Sequence, residues 1–285
     1  MIVDFRVRPP FKSFRSSFLY RKRDPSPDPV TAFALHAGMT PYRSFEEQSM
    51  EAFIEEMDAA GVGLGVVMGR SAPPPFNGVP NEEVAELVAS YPNRFIGFGA
   101  VSGMDVAGGV RELDRIKALG LRGVAIDNGY CDPPIYDDDA RMDPIYTRCE
   151  ELGLILSITS SLYLGPDLSY SHPQAIQRVA RRFPGLKIVV PHACYPWTTL
   201  AVAVAMQCTN VYLIPDLYLN TPGLPGQRDY LDAANTYLSH RLLFASSYPV
   251  RSMGDSVAAF SALDFRSDAI RQQCLGQNAL RLLDL

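Results

Sequence analysis

Three ionisable residues take alternate places near the start of the chain, Asp4, Arg6 and Arg8, interleaved with Val3, Phe5 and Val7. In an extended strand alternate side chains share a face. The apolar set is therefore expected against a helical layer, and the charged set in the interior that the strand lines. Charges in an interior cost several kcal/mol unless they are paired or hold a ligand. The pattern also fits an edge strand with one solvated face, or a plain internal pair between Asp4 and an arginine. Two inward guanidinium forks are suited to bidentate capture of a carboxylate or phosphate. Their charge would also stabilise an enolate or a tetrahedral oxyanion.

A histidine supplies the matching proton chemistry. His192 closes the apolar run Val189-Val190-Pro191, and an imidazole at the end of a buried strand titrates near working pH. His36, His172 and His240 fall in loops or at helix ends. Other apolar runs end on polar residues: Arg70, Asp127 with Asn128, Thr159 with Ser160, Asp216 with Tyr218, and Ser246 with Ser247 and Tyr248. Asp4, Asp127 and Asp216 are read as orienting groups or alternative bases, the plainer reading being loop caps or partners of an inward arginine. Arg70, Thr159, Tyr218 and Tyr248 are read as substrate-binding groups, with Trp197 and Phe76 as walls. Ser247 with His192 as its base would be a nucleophile, although no G-x-S-x-G turn surrounds it.

These residues need a scaffold that gathers strand ends. Apolar, β-branched runs alternate with helix-period segments along the whole chain. Strands are predicted at Ile2–Val7, Leu64–Met68, Phe95–Val101, Gly123–Asp127, Leu154–Thr159, Lys187–Pro191, Val211–Pro215 and Leu242–Ala245. Helices are predicted at Ser44–Ala60, opened by a Ser44-x-x-Glu47 capping box, at Asn81–Tyr91 with Asn81 as N-cap, and at Asp105–Leu119 ended by Gly120. Further helices are predicted at Asp143–Leu152, Pro173–Phe183, Pro196–Cys208 and around Asp229–Leu238, with Asp255–Leu263 and Ser267–Leu283 closing the chain. Eight strand–helix pairs predict an α/β fold, a closed (β/α)8 TIM barrel forming one domain over residues 1–285, with chemistry where the strands end. The rival, an open doubly wound sheet, lacks a G-x-G-x-x-G or G-x-x-x-x-G-K-[ST] loop after any strand. The Pro-rich pieces Asp24–Pro29 and Ala72–Pro80 are expected as loops at the barrel mouth.

Composition fits an ordinary soluble globular protein. The 285 residues are 47% hydrophobic and 20% charged, with a net charge of −5, so no basic field attracts nucleic acid. Five scattered cysteines without a C-x-x-C pair point to reduced thiols and a cytoplasmic location. No uninterrupted apolar run is long enough to span a membrane and the first residues carry no leader pattern. Homo-oligomerisation is an open option.

The chain resembles the amidohydrolase-related branch of the amidohydrolase superfamily, with aminocarboxymuconate semialdehyde decarboxylase and lactone hydrolases acting on pyrone and muconolactone carboxylates. The residues that carry this are Met1-Ile2-Val3-Asp4-Phe5 with Pro9-Pro10, Pro144-Ile145-Tyr146, Cys149-Glu150-Glu151-Leu152-Gly153-Leu154, Pro191-His192, the stretch Leu243 to Pro249, and Gln277-Asn278-Ala279-Leu280-Arg281-Leu282-Leu283. The His-x-His pair of the metal-binding members falls on Arg6 and Arg8, the strand-five histidine on Thr159 and the strand-eight aspartate on Ser247. His192 alone remains of that ligand set. Two guanidinium groups would repel a divalent ion, so no metal and no cofactor are expected.

The resemblance includes metal-free lactonases, which keep the strand-eight aspartate. It therefore implies hydrolysis of a small carboxylated lactone or similar cyclic acid, with Arg6 and Arg8 as anion clamp and His192 as acid and base. Decarboxylation or isomerisation through an enolate is the alternative. A non-catalytic anion-binding barrel is another, and a metal held by Asp127, Asp216 and His192 a further one.

Overall fold

The computed structural model describes residues 1–20 and 42–285, so His36 and Asp24–Pro29 lie outside the described residues. In chain order the elements are β1 (Ile2–Val7), α1 (Arg43–Glu47), α2 (Met50–Ala59), β2 (Val62–Met68), α3 (Asn81–Ser90), β3 (Phe95–Ala100), α4 (Val106–Ala118), β4 (Gly123–Ile126) and α5 (Asp143–Leu152). They continue as β5 (Ile155–Ile158), α6 (Pro173–Arg182), β6 (Ile188–Pro191), α7 (Thr198–Gln207), β7 (Val211–Ile214), α8 (Leu217–Asn220), α9 (Gln227–Ala234), α10 (Met253–Ser261), α11 (Asp268–Gln272) and α12 (Asn278–Leu282). The seven strands form one parallel sheet in sequence order.

Residues 242–248 close the ring as an eighth stave without forming a regular strand. Leu243 N donates to Leu213 O of β7 at 2.9 Å, while Phe5 N and Arg8 N of β1 donate to Phe244 O and Tyr248 O at 2.9 and 3.1 Å. The expected strand Leu242–Ala245 fails as a ladder because its own donors go elsewhere. Phe244 N bonds Cys274 O and Ser246 N bonds the Asp4 carboxylate, at 3.0 and 2.9 Å. The TIM-barrel architecture stands, with its seam sealed partly by a side chain.

Two apolar clusters follow from burial of the strands on both faces. One takes residues from all eight staves, among them Phe5, Met68, Phe98, Ala125, Ile155, Val189, Ile214 and Leu243, and is therefore the barrel interior. Its lower end is covered by Ala279, Leu282 and Leu283. The other lies between sheet and helices and includes Val7, Val67, Val124, Leu156, Val190 and Phe244.

This assignment corrects the expected alternation in β1. Val3 and Phe5 look into the barrel and only Val7 looks outward. The cause is a bulge: Asp4 pairs with Gly65 and Val7 with Val67, so β1 advances three residues against two in β2. An extra residue re-aims the side chains beyond it, which brings both Phe5 and Arg6 to the inside.

Two expected caps are also placed differently. Gln48 is left-handed (φ 49°), splitting the predicted Ser44–Ala60 helix into α1 and α2, and Ser49 caps α2 by accepting from Ala52 N. The Ser44 hydroxyl instead bonds Glu56 and the Tyr248 hydroxyl. Asn81 lies inside α3 and spends its amide on β3, bonding Ala100 N at 2.7 Å and Ala100 O at 3.1 Å. All five cysteines are free and buried. No helix among the described residues is long and apolar enough to cross a membrane.

Candidate active site

Above the interior layer five of the staves continue two residues further and present a polar side chain. Met68 leads to Arg70, Ala125 to Asp127, Ser157 to Thr159, Ile214 to Asp216 and Ala245 to Ser247. The bulge in β1 adds Arg6 and Arg8. These side chains are all buried, Arg6 and Arg8 at 3% exposure each. Arg6, Arg8, Arg70, Thr159 and Ser247 line a small cavity of about 50 Å³ that opens to solvent at its mouth, with Asp216 and Asp127 bonded to Arg6 and Arg70.

Arg6 Nη1 lies 2.7 Å from His192 Nε2, 3.0 Å from Ser247 Oγ and 3.5 Å from Asp216 Oδ2. A guanidinium N–H can only donate, so Nε2 accepts and the imidazole proton sits on Nδ1, which donates to Asp216 Oδ1 at 3.0 Å. His192 is thus held neutral. Burial, reinforced by Arg6 and Arg8, outweighs the Asp216 carboxylate and lowers the imidazole pKa. Burial alone would raise Asp216, but His192, Arg6 and the Ser247 hydroxyl bring it below the usual carboxylate range.

The Ser247 hydroxyl donates to Asp216 Oδ2 at 3.1 Å, and Arg6 occupies His192 Nε2. The geometry therefore does not pair Ser247 with His192 as nucleophile and base. His192, Asp216 and Ser247 all have left-handed backbones, at φ 65°, 42° and 64°. Strain of this kind is retained where surrounding structure over-determines it, and here it aims three acceptors at one nitrogen.

Across the cavity Arg70 Nε bonds Asp127 Oδ2 at 3.3 Å. The guanidinium of Arg70 lies 5.4 Å over the Tyr130 ring, whose other neighbour is the stacked ring of Phe76. Burial would lift the Asp127 carboxyl, but Arg70, Arg8 and Arg6, with the Thr159 hydroxyl, bring it below its usual range. Arg8 is different. Its Nε and Nη2 are buried without a hydrogen-bond partner among the described residues, and burial beside Arg6 and Arg70 pushes its pKa down. Three guanidinium groups face two low-pKa carboxylates, so among the described residues Arg8 is left without a paired carboxylate.

Other expected residues lie elsewhere. Asp4 does not line the cavity: its Oδ1 accepts from Arg6 N and Ser246 N at 3.2 and 2.9 Å, tying β1 to the eighth stave. Burial, partly offset by the Ser246 bonds, raises its pKa to about 7. Tyr248 faces the helical layer, packed on Tyr20, Tyr42 and Phe53, because it follows Ser247 and so points outward. Trp197 sits outside the cavity, its Nε1 bonding Leu168 O at 3.2 Å and its ring against His172. Phe76 backs Tyr130 instead of lining the cavity.

The cavity is completed by Tyr130, Ser161, Tyr163, Leu19, Leu217 and Val250, which strand-end reasoning misses. Ser161 continues the alternation beyond Thr159, and Tyr130 follows Asp127 by one tight turn, closed by Tyr130 N to Asp127 O at 2.9 Å. The others arrive from loops and short helical turns, Leu217 from the start of α8, and carry no periodic signal.

Metal-binding relatives of this fold would place a divalent ion near His192. The residues present do not fit one, because Arg6 Nη1 fills the point on which the donors converge and Arg8 adds a second positive charge beside it. Nor are any three His, Cys, Asp or Glu side chains among the described residues grouped to hold a metal. The expected option of a metal on Asp127, Asp216 and His192 is thereby overturned, since Asp127 turns to Arg70 instead.

Comparison with known proteins agrees with the barrel. The uncharacterised TIM-barrel protein Bb4693 of Bordetella bronchiseptica is 34% identical with a TM-score of 0.92, over 99% of this chain and 98% of that one. The gamma-resorcylate decarboxylase of Polaromonas sp. is 25% identical over 247 residues, 72% of this chain and 75% of that protein. The 2-amino-3-carboxymuconate-6-semialdehyde decarboxylase of Dictyostelium discoideum is 33% identical over 88 residues, 30% of this chain and 24% of that protein. The match to this last relative thus spans about a quarter of its length. Neither curated relative is a lactone hydrolase, so the expected lactonase activity finds no support here and the decarboxylase alternative does. The amidohydrolase family profile matches residues 49–285, and with a closed barrel whose polar side chains gather at the strand ends, the chain belongs to the amidohydrolase family.

Proposed function

We propose that this chain is a carboxy-lyase acting on a small carboxylic acid, with the substrate carboxylate bound at Arg8. The observation that carries the reading is the buried Arg8 guanidinium, two of whose nitrogens have no partner among the described residues, on a residue that lines the cavity. An uncompensated buried charge is expensive, and a bound carboxylate offsets it with charge-assisted hydrogen bonds of about 1.5–3 kcal/mol each. Two relatives are named as decarboxylases, which favours loss of CO2 over ring hydrolysis.

In such a reaction the bond from carbon to carboxylate breaks, its electron pair stays on the substrate carbon, CO2 departs, and a proton adds to that carbon. Arg6 and Arg70 supply the positive field for the charge that develops. His192, oriented by Asp216, is the proton carrier. Its Nε2 is engaged by Arg6 at rest, so an anion that draws the Arg6 guanidinium toward itself frees that nitrogen to take a proton from water and deliver it. Leu19, Leu217 and Val250 provide the apolar wall that favours departure of neutral CO2. No metal enters these steps.

The test is a panel of hydroxybenzoates, including γ-resorcylate, and carboxylated lactones, with CO2 release and ring opening followed separately. CO2 release that His192→Asn reduces by about 100-fold or more supports the assignment. Ring opening without CO2 returns the hydrolytic reading, and tight binding without turnover makes the barrel a carboxylate-binding protein.

A further inference from the structure

The nitrogen of Arg6 that touches His192 occupies a nest of acceptors. His192 Nε2 offers a lone pair at 2.7 Å, Ser247 an oxygen at 3.0 Å and Asp216 a carboxylate oxygen at 3.5 Å. These groups come from the ends of three separate staves and each sits on a left-handed backbone, so their convergence is imposed by the whole ring. The Asp216 carboxylate is 2% exposed, and a buried carboxylate demands a cation. We propose that this nest is a cation-binding site whose resident cation is the Arg6 guanidinium itself, so that a free guanidinium ion takes the same position when the side chain is removed.

The consequence goes beyond the reaction proposed above and does not depend on it. The positive charge at this point is covalently tethered, so it neither exchanges with the medium nor answers to chelators. Asp216 has two jobs in the nest: Oδ1 fixes the imidazole tautomer, and Oδ2 faces the cation. Without the cation, that carboxylate loses the one charged group that faces it in the nest and keeps the neutral imidazole and the Ser247 hydroxyl.

The experiment uses the full-length Arg6→Ala variant, its fold checked by circular dichroism, titrated calorimetrically with methylguanidinium chloride and, as a neutral control of the same shape, with methylurea. The proposal expects one methylguanidinium bound per chain in Arg6→Ala, none in the wild type, and methylurea weaker by about tenfold or more. Adding Asp216→Asn to Arg6→Ala is expected to weaken methylguanidinium by about tenfold as well. Equal binding of the two probes would mean a cavity of suitable shape without cation preference, and would overturn the proposal. So would absence of binding in a folded variant, or undiminished binding in the wild type. If Arg6→Ala does not fold, Arg6→Gln, which keeps most of the side chain's stem, carries the same comparison through the rise in its melting midpoint with methylguanidinium against methylurea. A rise specific to the cation supports the nest, and equal rises overturn it.

Discussion

At the scale of single residues the site is an arrangement of charges that is incomplete by one anion. Arg6 is answered by Asp216 and Arg70 by Asp127, at 3.5 and 3.3 Å, whereas Arg8 has buried nitrogens without partners among the described residues. Arg8→Met is therefore predicted to raise the unliganded protein's stability by about 1–3 kcal/mol, since it removes a desolvated charge. The same change is predicted to weaken carboxylate binding by about 10- to 100-fold. Denaturation and calorimetry with a benzoate series check both, and a variant that is less stable yet binds unchanged would refute them. A second acid lies away from the cavity: Asp137, bonded by Asn128 Nδ2 at 3.0 Å, has its pKa raised from 3.8 to about 8 by burial. Its contribution to stability is complete below the ordinary carboxylate pKa and is lost as pH rises through about 8. Asp137→Asn keeps the bond from Asn128 and is predicted to remove this loss, gaining on the order of 2 kcal/mol at pH 8 and little at pH 4. Denaturant midpoints across that range decide it, a constant difference being the contrary result. Arg6, Arg8, Arg70, Asp127, Thr159, His192, Asp216 and Ser247 were legible as site candidates because strand ends in a barrel converge. Asp4, Tyr248 and Trp197 were not correctly placed, because the seam and the outer faces also end in polar or aromatic residues.

At the scale of elements, the feature that builds the site is the bulge in β1. Alternation in the sequence puts Arg6 and Arg8 inward, as observed, but for the wrong reason: Val3 and Phe5 are inward too, and one extra residue changes the parity. No residue type marks that bulge, since it arises from pairing with β2. The eighth stave was likewise readable as a position and not as a ladder, because its donors go to Cys274 and Asp4. The closing helices hold another tight contact. A Cβ on Gly276 would lie 2.1 Å from Met1 O, whereas one on Gly254, near the start of α10, meets nothing within 4 Å. Gly276→Ala is predicted to cost about 2–4 kcal/mol by displacing the start of β1. Gly254→Ala is predicted to be neutral or to stabilise by up to about 1 kcal/mol. Chemical denaturation of both variants checks the pair, and equal effects would contradict the packing described here.

At the scale of the molecule, a chain with net charge −5 surrounds a small cavity of opposite sign. The barrel makes this affordable by enclosing the charges in a ring whose interior below them is apolar but for the Ser157 hydroxyl on Met68 Sδ, from Phe5 and Phe98 in edge contact down to Leu282. The amidohydrolase family supplies the architecture, and this chain fills the centre with a guanidinium. The central claim is that tethered arginine charge does here what a bound ion would otherwise do. The measurement that tests it most directly is the metal content per chain of protein purified without chelator, for zinc, manganese, iron and nickel. The account predicts less than about a tenth of an equivalent of any of them and no activation when metal is added. Close to one equivalent, retained on dialysis and lost from His192→Asn, would contradict it.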